Sequence, residues 1–463
     1  MRPSSKLLVP YFVSTCIFLI GHYLYLGWDF SVYVLNAQYL FDSGHFFEIG
    51  RAPFVSFLIG MFGVFGWTLA EYLYIVFASL LFLYSSVKLA QTLKLPTVAF
   101  YLFSLNSFVL LYGLLEGSEL LSLALLELFL ALIIEDGWYA GFFLGLACLT
   151  RYPLIVFFPL LLFHKGWKKL FSALIFVIPF IPWFLYNKLQ YGNIFYSIAD
   201  SYAVNILYRE YVPHTINYAN ILLAANILVP LIAIGAFYFM HRKKILREKI
   251  ILLCATLLIL YSIYTIKADV ARYYLPLTIP FVVLAVSSLQ LFSKRWNSII
   301  LVSFIVATLL MVSYALAQPA YRSGDFTPLV TELDAIEGCA LQSNIWVHLN
   351  YYGRSTEPVM SERAVGHAIE EGYYVLIYYD AREPPYMHNR SFLEQYPIVS
   401  EDSSSILLGE GCLPVEPVDA SYLEKLNAEL MIIDNYMVSE DPCEILFHGN
   451  RMCAVVNDIF TVS

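Results

Sequence analysis

Charge is scarce in this sequence. Asp, Glu, Lys and Arg make up 14% of its 463 residues, against about 25% in an ordinary soluble domain, which excludes a chain soluble over its whole length. No small-x-small cleavage site follows the first apolar run, "LLVPYFVSTCIFLIGHYLYLG", so that run is expected to stay as an uncleaved anchor. From residue 318 onward no apolar run is long enough to span a bilayer. Basic residues are also few there, 7 against 23 acidic, which argues against nucleic acid as a partner. That region has no glycine-rich phosphate loop and no nucleophile elbow, and hence no chemistry assigned to it. No Cys-x-x-Cys or His pair has the spacing of zinc ligands. No metal site or cofactor is expected, with a divalent metal left open.

What the sequence has in excess is apolar length. Hydrophobic residues reach 59% and the mean hydropathy is +0.67. Apolar runs near the roughly 20 residues that cross a bilayer recur from residue 7 to 317. Residues 1–317 hold 20 basic and 13 acidic side chains. The expected architecture is a polytopic α-helical membrane domain, residues 1–317, followed by an acidic soluble domain, residues 318–463. The tail is long enough to bury its own core.

Basic clusters orient the chain. They fall at Arg2/Lys6, Lys88/Lys94, Lys165/Lys168/Lys169, "HRKKILREK" and Lys294/Arg295, and the positive-inside rule assigns them to the cytoplasm. Fitting spans between them gives about eleven helices, over 7–27, 67–90, 97–114, 118–134, 138–150, 152–164, 170–186, 218–240, 249–266, 273–292 and 298–317. An odd count leaves the N-terminus cytoplasmic and the C-terminal domain outside. The stretch after the first span becomes an external loop with two surface helices, "SVYVLNAQYLFDSG" and "APFVSFLIGMFG".

On this topology Asp29, Glu48, Arg51, Glu116, Glu119, Arg151, Lys188, Arg209, Lys267, Asp269 and Arg272 gather at the outer face. Charges at helix ends in a bilayer usually mark function or pairing. Solvated external loops account for Lys188, Arg209 and Asp269; charges embedded in "LLEGSELLSL" and "ACLTRYPL" suggest a polar cavity. Cys16, Cys148 and Cys254 lie in spans as packing residues. Cys339, Cys412, Cys443 and Cys453 lie in the external domain, where disulfides persist. Cys443–Cys453 closes a short loop and is the expected pair, which leaves Cys339–Cys412. The sequon "NRS" places a glycosylation acceptor at Asn389 on the same side. In the tail, "CALQSNIWVHL", "YYVLIYY", "SSSILLGE" and "CAVVNDIFTV" read as strands and "SERAVGHAIEEG" as a helix, giving a small α/β layer. Its expected role is a lid or an acceptor-recognition module.

Six segments, in order, resemble the GT-C glycosyltransferases: "WDFSVYVLNAQYLFDSG", "RAPFVSFLIG", "GSELLSLALLELFL", "GFFLGLACLTRYP", "PWFLYNKLQYGN" and "RYYLPLTIPFVVL". The protein mannosyltransferases, the bacterial aminoarabinose–lipid A transferase and the RgtA/B/C/D-like family are the members most similar in look. Two departures stand out. Several relatives carry Asp-Glu where this chain has Asp29-Phe30, and the oligosaccharyltransferase signature Trp-Trp-Asp-x-Gly is absent. The resemblance covers residues 1–317 and implies transfer of a sugar from a dolichyl or undecaprenyl phosphate to a hydroxyl of a glycan, lipid or protein outside the cytoplasm.

Such a transfer needs a carboxylate to take the acceptor proton, cations to hold the phosphate and a cavity that excludes water. Asp29, one residue past an interfacial tryptophan, is the candidate base, although an aspartate there also serves as a helix N-cap. Glu119 is the candidate second carboxylate, against its reading as a helix-dipole charge. Glu116 lies on a neighbouring face. Glu127, deeper in the same helix, is expected to pair structurally. Glu48 and Arg51 either contact substrate or pair with each other. Arg272, Lys267 and Arg151 are candidate phosphate ligands, against the alternative of snorkelling helix-end cations. Two other functions fit the composition. A transporter predicts internal repeats and midplane charges, and no repeat is present; a non-catalytic assembly partner would work through residues 318–463.

Overall fold

The computed structural model describes residues 5–41, 44, 46–202, 216–241, 246–266, 270–318, 326, 329, 333–359, 362–379 and 390–415. Lys267, Asp269, Arg209, Asn389, Cys443, Cys453 and the segment "CAVVNDIFTV" lie outside them. The chain divides into two compact units. Described residues 5–30 and 49–318 form the first; 31–48 belong with 326–415 in the second.

The first unit is helical and begins with α1 (Leu8–Leu24), from which the chain turns into α2 (Trp28–Phe41), assigned to the second unit from Ser31 onward. α3 (Phe54–Phe62), α4 (Trp67–Thr92), α5 (Thr97–Ser104), α6 (Ser107–Tyr112), α7 (Glu119–Ile134) and α8 (Ala140–Thr150) follow. A 3-10 segment, Tyr152–Phe163, leads to α9 (Lys168–Val177), α10 (Ile181–Tyr191) and α11 (Tyr196–Tyr202). Then come α12 (Tyr218–Ala225), α13 (Val229–His241), α14 (Leu246–Thr265), the 3-10 segment Ala271–Leu277, α15 (Thr278–Ser288) and α16 (Lys294–Leu316).

Among the described residues six helical stretches are long and apolar enough to cross a membrane, or seven if α1 and α2 count as one bent span. The chain is an integral membrane protein. The count of about eleven spans is not reached by this measure, because several expected spans are short or broken. The run 97–114 splits at Asn106, whose side chain accepts from the Val109 amide at 3.1 Å and starts a new helix. The runs 138–150 and 152–164 give only the short apolar helices Ala140–Thr150 and Tyr152–Phe163. α7 is apolar around its whole circumference and buried along its whole length, as befits a helix packed along both α4 and α8. Midway along α7, the Glu127 carboxyl accepts hydrogen bonds from Ser85 at 3.0 Å and Ser86 at 2.7 Å, which gives it structural partners across the α4–α7 seam.

The second unit contains a five-stranded sheet. Its strands are β1 (Leu341–Ser343), β2 (Glu357–Pro358), β3 (Tyr374–Tyr378), β4 (Ile398–Glu401) and β5 (Ser405–Leu408), in the order β2-β1-β3-β5-β4. β2, β1 and β3 are parallel; β3, β5 and β4 are antiparallel. Two buried apolar clusters pack here, one around Leu341, Leu376 and Leu407, the other around Val375, Ile377 and Ile406. Alternate residues of β3 thus serve different clusters, as its pleat requires. The strand expected over "CALQSNIWVHL" is shorter than its apolar run. After Ser343 the chain turns into α17 (Trp346–Tyr351). Ser343 Oγ accepts from the Ile345 amide at 3.1 Å, and Asn344 bonds both the amide and the carbonyl of Tyr378. α18 (Glu362–Glu370) matches the expected helix. Cys339 and Cys412 form a disulfide with Cα atoms 4.9 Å apart.

Candidate active site

Two glycines build the site. Gly27, in the turn between α1 and α2, lies so close to the loop after α6 that a Cβ there would sit 2.0 Å from the Leu115 carbonyl oxygen. Gly117, in that loop, has φ of +91° and would place a Cβ 2.8 Å from the Phe30 ring. These contacts press the first turn of α2 against the segment 113–118. As a result the Asp29 amide donates to Glu116 Oε2 at 2.9 Å, so Glu116 caps α2 and the Asp29 side chain is left for other partners. Behind this contact the Tyr74 hydroxyl donates to the Gly117 carbonyl. Phe30 stacks near His22, with ring centroids 4.3 Å apart, and His22 pairs with Glu71 at 2.9 Å.

Three arginines converge on the carboxylates from separate elements. Arg51, just before α3, reaches Asp29 Oδ1 at 2.9 Å. Arg272, in the 3-10 segment before α15, reaches Asp29 Oδ2 at 3.1 Å and Glu116 Oε1 at 2.9 Å. Its Nε lies 3.9 Å from Glu119 Oε1 and has no hydrogen-bond partner. Arg151 ends α8: its backbone is extended, Pro153 follows, and its guanidinium donates to Glu119 Oε1 at 2.6 Å. The other Glu119 oxygen accepts from the Ser118 amide at 3.1 Å. The Tyr273 ring lies 5.1 Å from the Arg151 guanidinium carbon and 5.9 Å from that of Arg272, within cation–π range.

Asp29, Glu116 and Glu119 are each buried to at least nine-tenths. Charges so buried must be paired, and three carboxylates against three arginines make the cluster formally neutral. Glu116 lies in the loop between α6 and α7. Burial and the neighbouring Asp29 carboxylate raise it more than Arg272 lowers it, and the carboxyl is pushed up to about 7.

The structure brings together six of the residues singled out in the sequence: Asp29, Arg51, Glu116, Glu119, Arg151 and Arg272. Glu48 belongs to the second unit, where its amide and carbonyl are both held by the Asn36 side chain at 2.9 Å. The expected phosphate ligand Lys267 lies outside the described residues. Sequence reasoning passed over Tyr273, although it follows Arg272 in a quoted motif. It also passed over the His22–Glu71 pair, two polar side chains isolated in apolar runs, and Asp200 of α11, which packs its carboxylate against Gly50, next to Arg51. Among the described residues no group of three or more His, Cys, Asp or Glu is placed to hold a metal ion.

No protein-family model matches the sequence, and no curated protein matches it. Solved structures do. ArnT from Cupriavidus metallidurans bound to undecaprenyl phosphate aligns with a TM-score of 0.59 at 12% identity, over 88% of this chain and 98% of that one. The same protein in the apo state aligns with a TM-score of 0.56 over the same shares. At this identity the likeness shows the fold alone, and the chain has an ArnT-like architecture.

Proposed function

We propose that this protein transfers a sugar from a polyprenyl phosphate carrier to a hydroxyl group of a glycan, lipid or protein acceptor. The donor site is the six-charge cluster, which faces away from the cytoplasm. One observation carries the reading. A buried carboxylate, Asp29, sits with two arginines on its oxygens and a third arginine beside it on Glu119, in a fold shared with a protein solved with undecaprenyl phosphate.

In the reaction the acceptor oxygen attacks the anomeric carbon of the donor sugar as the bond from that carbon to the phosphate oxygen breaks. The electron pair leaves with the phosphate, and Arg272 and Arg151 take up its growing charge. Asp29 accepts the acceptor proton. Before that step Arg272 must turn from Asp29 to the phosphate, which frees Oδ2 for the hydroxyl. Glu119, fixed by Arg151 and the Ser118 amide, orients acceptor or sugar. The arginines supply the positive charge that the leaving group needs, so no cofactor enters the scheme.

The test is to reconstitute the purified protein in vesicles with polyprenyl-phosphate sugars of several kinds and follow free polyprenyl phosphate together with sugar on acceptor. Release that requires both donor and protein supports the reading. Vesicles in which no donor is ever consumed, while a solute crosses the bilayer, would support a transporter instead.

A further inference from the structure

Among the described residues the cluster has no spare positive charge. Asp29, Glu116 and Glu119 already balance Arg51, Arg151 and Arg272, yet under the reading above an anionic phosphate must enter among them. A site this buried does not hold an uncompensated charge cheaply. Something must give up a negative charge when the phosphate arrives.

The three carboxylates differ in what they retain once Arg272 turns to the phosphate. Asp29 keeps Arg51 at 2.9 Å. Glu119 keeps Arg151 at 2.6 Å and the Ser118 amide. Glu116 has Arg272 as its guanidinium partner, at 2.9 Å, and otherwise the Asp29 amide on Oε2. The groups facing it are Asp29 from α2, Glu119 from α7, and Arg272 with the adjacent Tyr273 from the 3-10 segment; Arg51 and Arg151 stand behind the two carboxylates. When Arg272 leaves, Glu116 faces two like charges and one amide donor. A neutral carboxylic acid still accepts that amide through its carbonyl oxygen and can offer its own O–H to the phosphate.

We infer that Glu116 is the proton-linked element of the donor site, taking one proton from solvent as the phosphate headgroup binds, so that the cluster stays neutral with the anion in place. The inference rests on the donor reading above. It makes donor binding favourable below neutrality and progressively weaker above it, since burial and the Asp29 carboxylate push the Glu116 carboxyl up to about 7.

The test uses the full-length protein in detergent or nanodiscs and a prenyl methyl phosphodiester, whose single charge does not titrate near neutrality. Calorimetry in buffers of different ionisation enthalpy counts the protons taken up. About one proton per phosphodiester is expected around pH 8, with Kd rising by about tenfold per pH unit above neutrality. In Glu116→Gln both the uptake and the slope should vanish while binding persists. Dimethyl phosphate at higher concentration should drive the same uptake, and the uncharged prenol should drive none. Binding without proton uptake in the unmodified protein, an unchanged slope in Glu116→Gln, or uptake driven by prenol would each overturn the inference. Absence of phosphodiester binding at every pH would overturn the donor reading, and the inference with it.

Discussion

Arg272 holds Asp29 and Glu116 at once, one guanidinium nitrogen 3.1 Å from Asp29 Oδ2 and the other 2.9 Å from Glu116 Oε1. A single forked cation thus bridges the first turn of α2 and the loop before α7. Lysine, a point charge on a flexible stem, could not span both in this way.

Arg272→Ala should therefore weaken donor binding selectively. The Kd for a polyprenyl-phosphate donor should rise by about tenfold or more, and that for the acceptor by no more than about threefold. Arg272→Lys should fall between the two, because it keeps the charge and loses the fork. Binding measured for each substrate separately decides this; equal losses for both contradict the assignment.

Gly117 tests the scaffold beneath the charges. Its φ of +91° and its contact with Phe30 leave no room for a Cβ, so Gly117→Ala should cost about 1–3 kcal/mol from backbone strain alone and displace Glu116 and Glu119 with it. Lower thermal stability and strongly reduced turnover are expected. Gly166→Ala is the comparison. That glycine also has positive φ but nothing within 4 Å, and turnover should survive there.

Asp136 tests the far end of α7. Its carboxylate meets Lys168 at 2.9 Å, His164 at 3.1 Å and Arg247 at 3.5 Å. Burial works against ionisation, but the hydrogen bonds from Lys168, the Lys165 amide and His164 prevail and hold it well below the usual carboxylate range. A carboxyl depressed on folding stabilises the protein above its unfolded value of about 3.9, and that stability drains away as pH falls through the folded value. Asp136→Asn should accordingly lower Tm at neutral pH, with the deficit shrinking below about pH 4. A deficit that is constant with pH would mean that the asparagine disturbs packing rather than charge.

The membership of the charge cluster was more legible in the sequence than its wiring. Asp29, Glu119, Arg151 and Arg272 all stand in quoted segments because charges inside apolar sequence are conspicuous, and all four do meet in the structure. Their pairing was not legible, since it depends on Gly27 and Gly117 drawing α2 against a loop some 90 residues further along the chain. Arg51 could be expected to pair with its neighbour Glu48 from spacing alone; its ion pair with Asp29 requires the fold. Helix breaks were missed for a local reason. Hydropathy reads 97–114 as one run, while the Asn106 side chain ends one helix and caps the next. In the same way the apolar run around Trp346 gave no sign that a strand stops at Ser343 and a helix takes over.

The most direct test of the account is the transfer rate of Asp29→Asn. Asparagine keeps the shape of aspartate but cannot accept the hydroxyl proton, and it no longer competes with phosphate for Arg51 and Arg272. The variant should fold, bind the polyprenyl-phosphate donor at least as tightly as the unmodified protein, and transfer sugar at least about a hundredfold more slowly. Near-normal turnover in a folded, donor-binding Asp29→Asn protein would contradict the central claim and move the search for the base to Glu119.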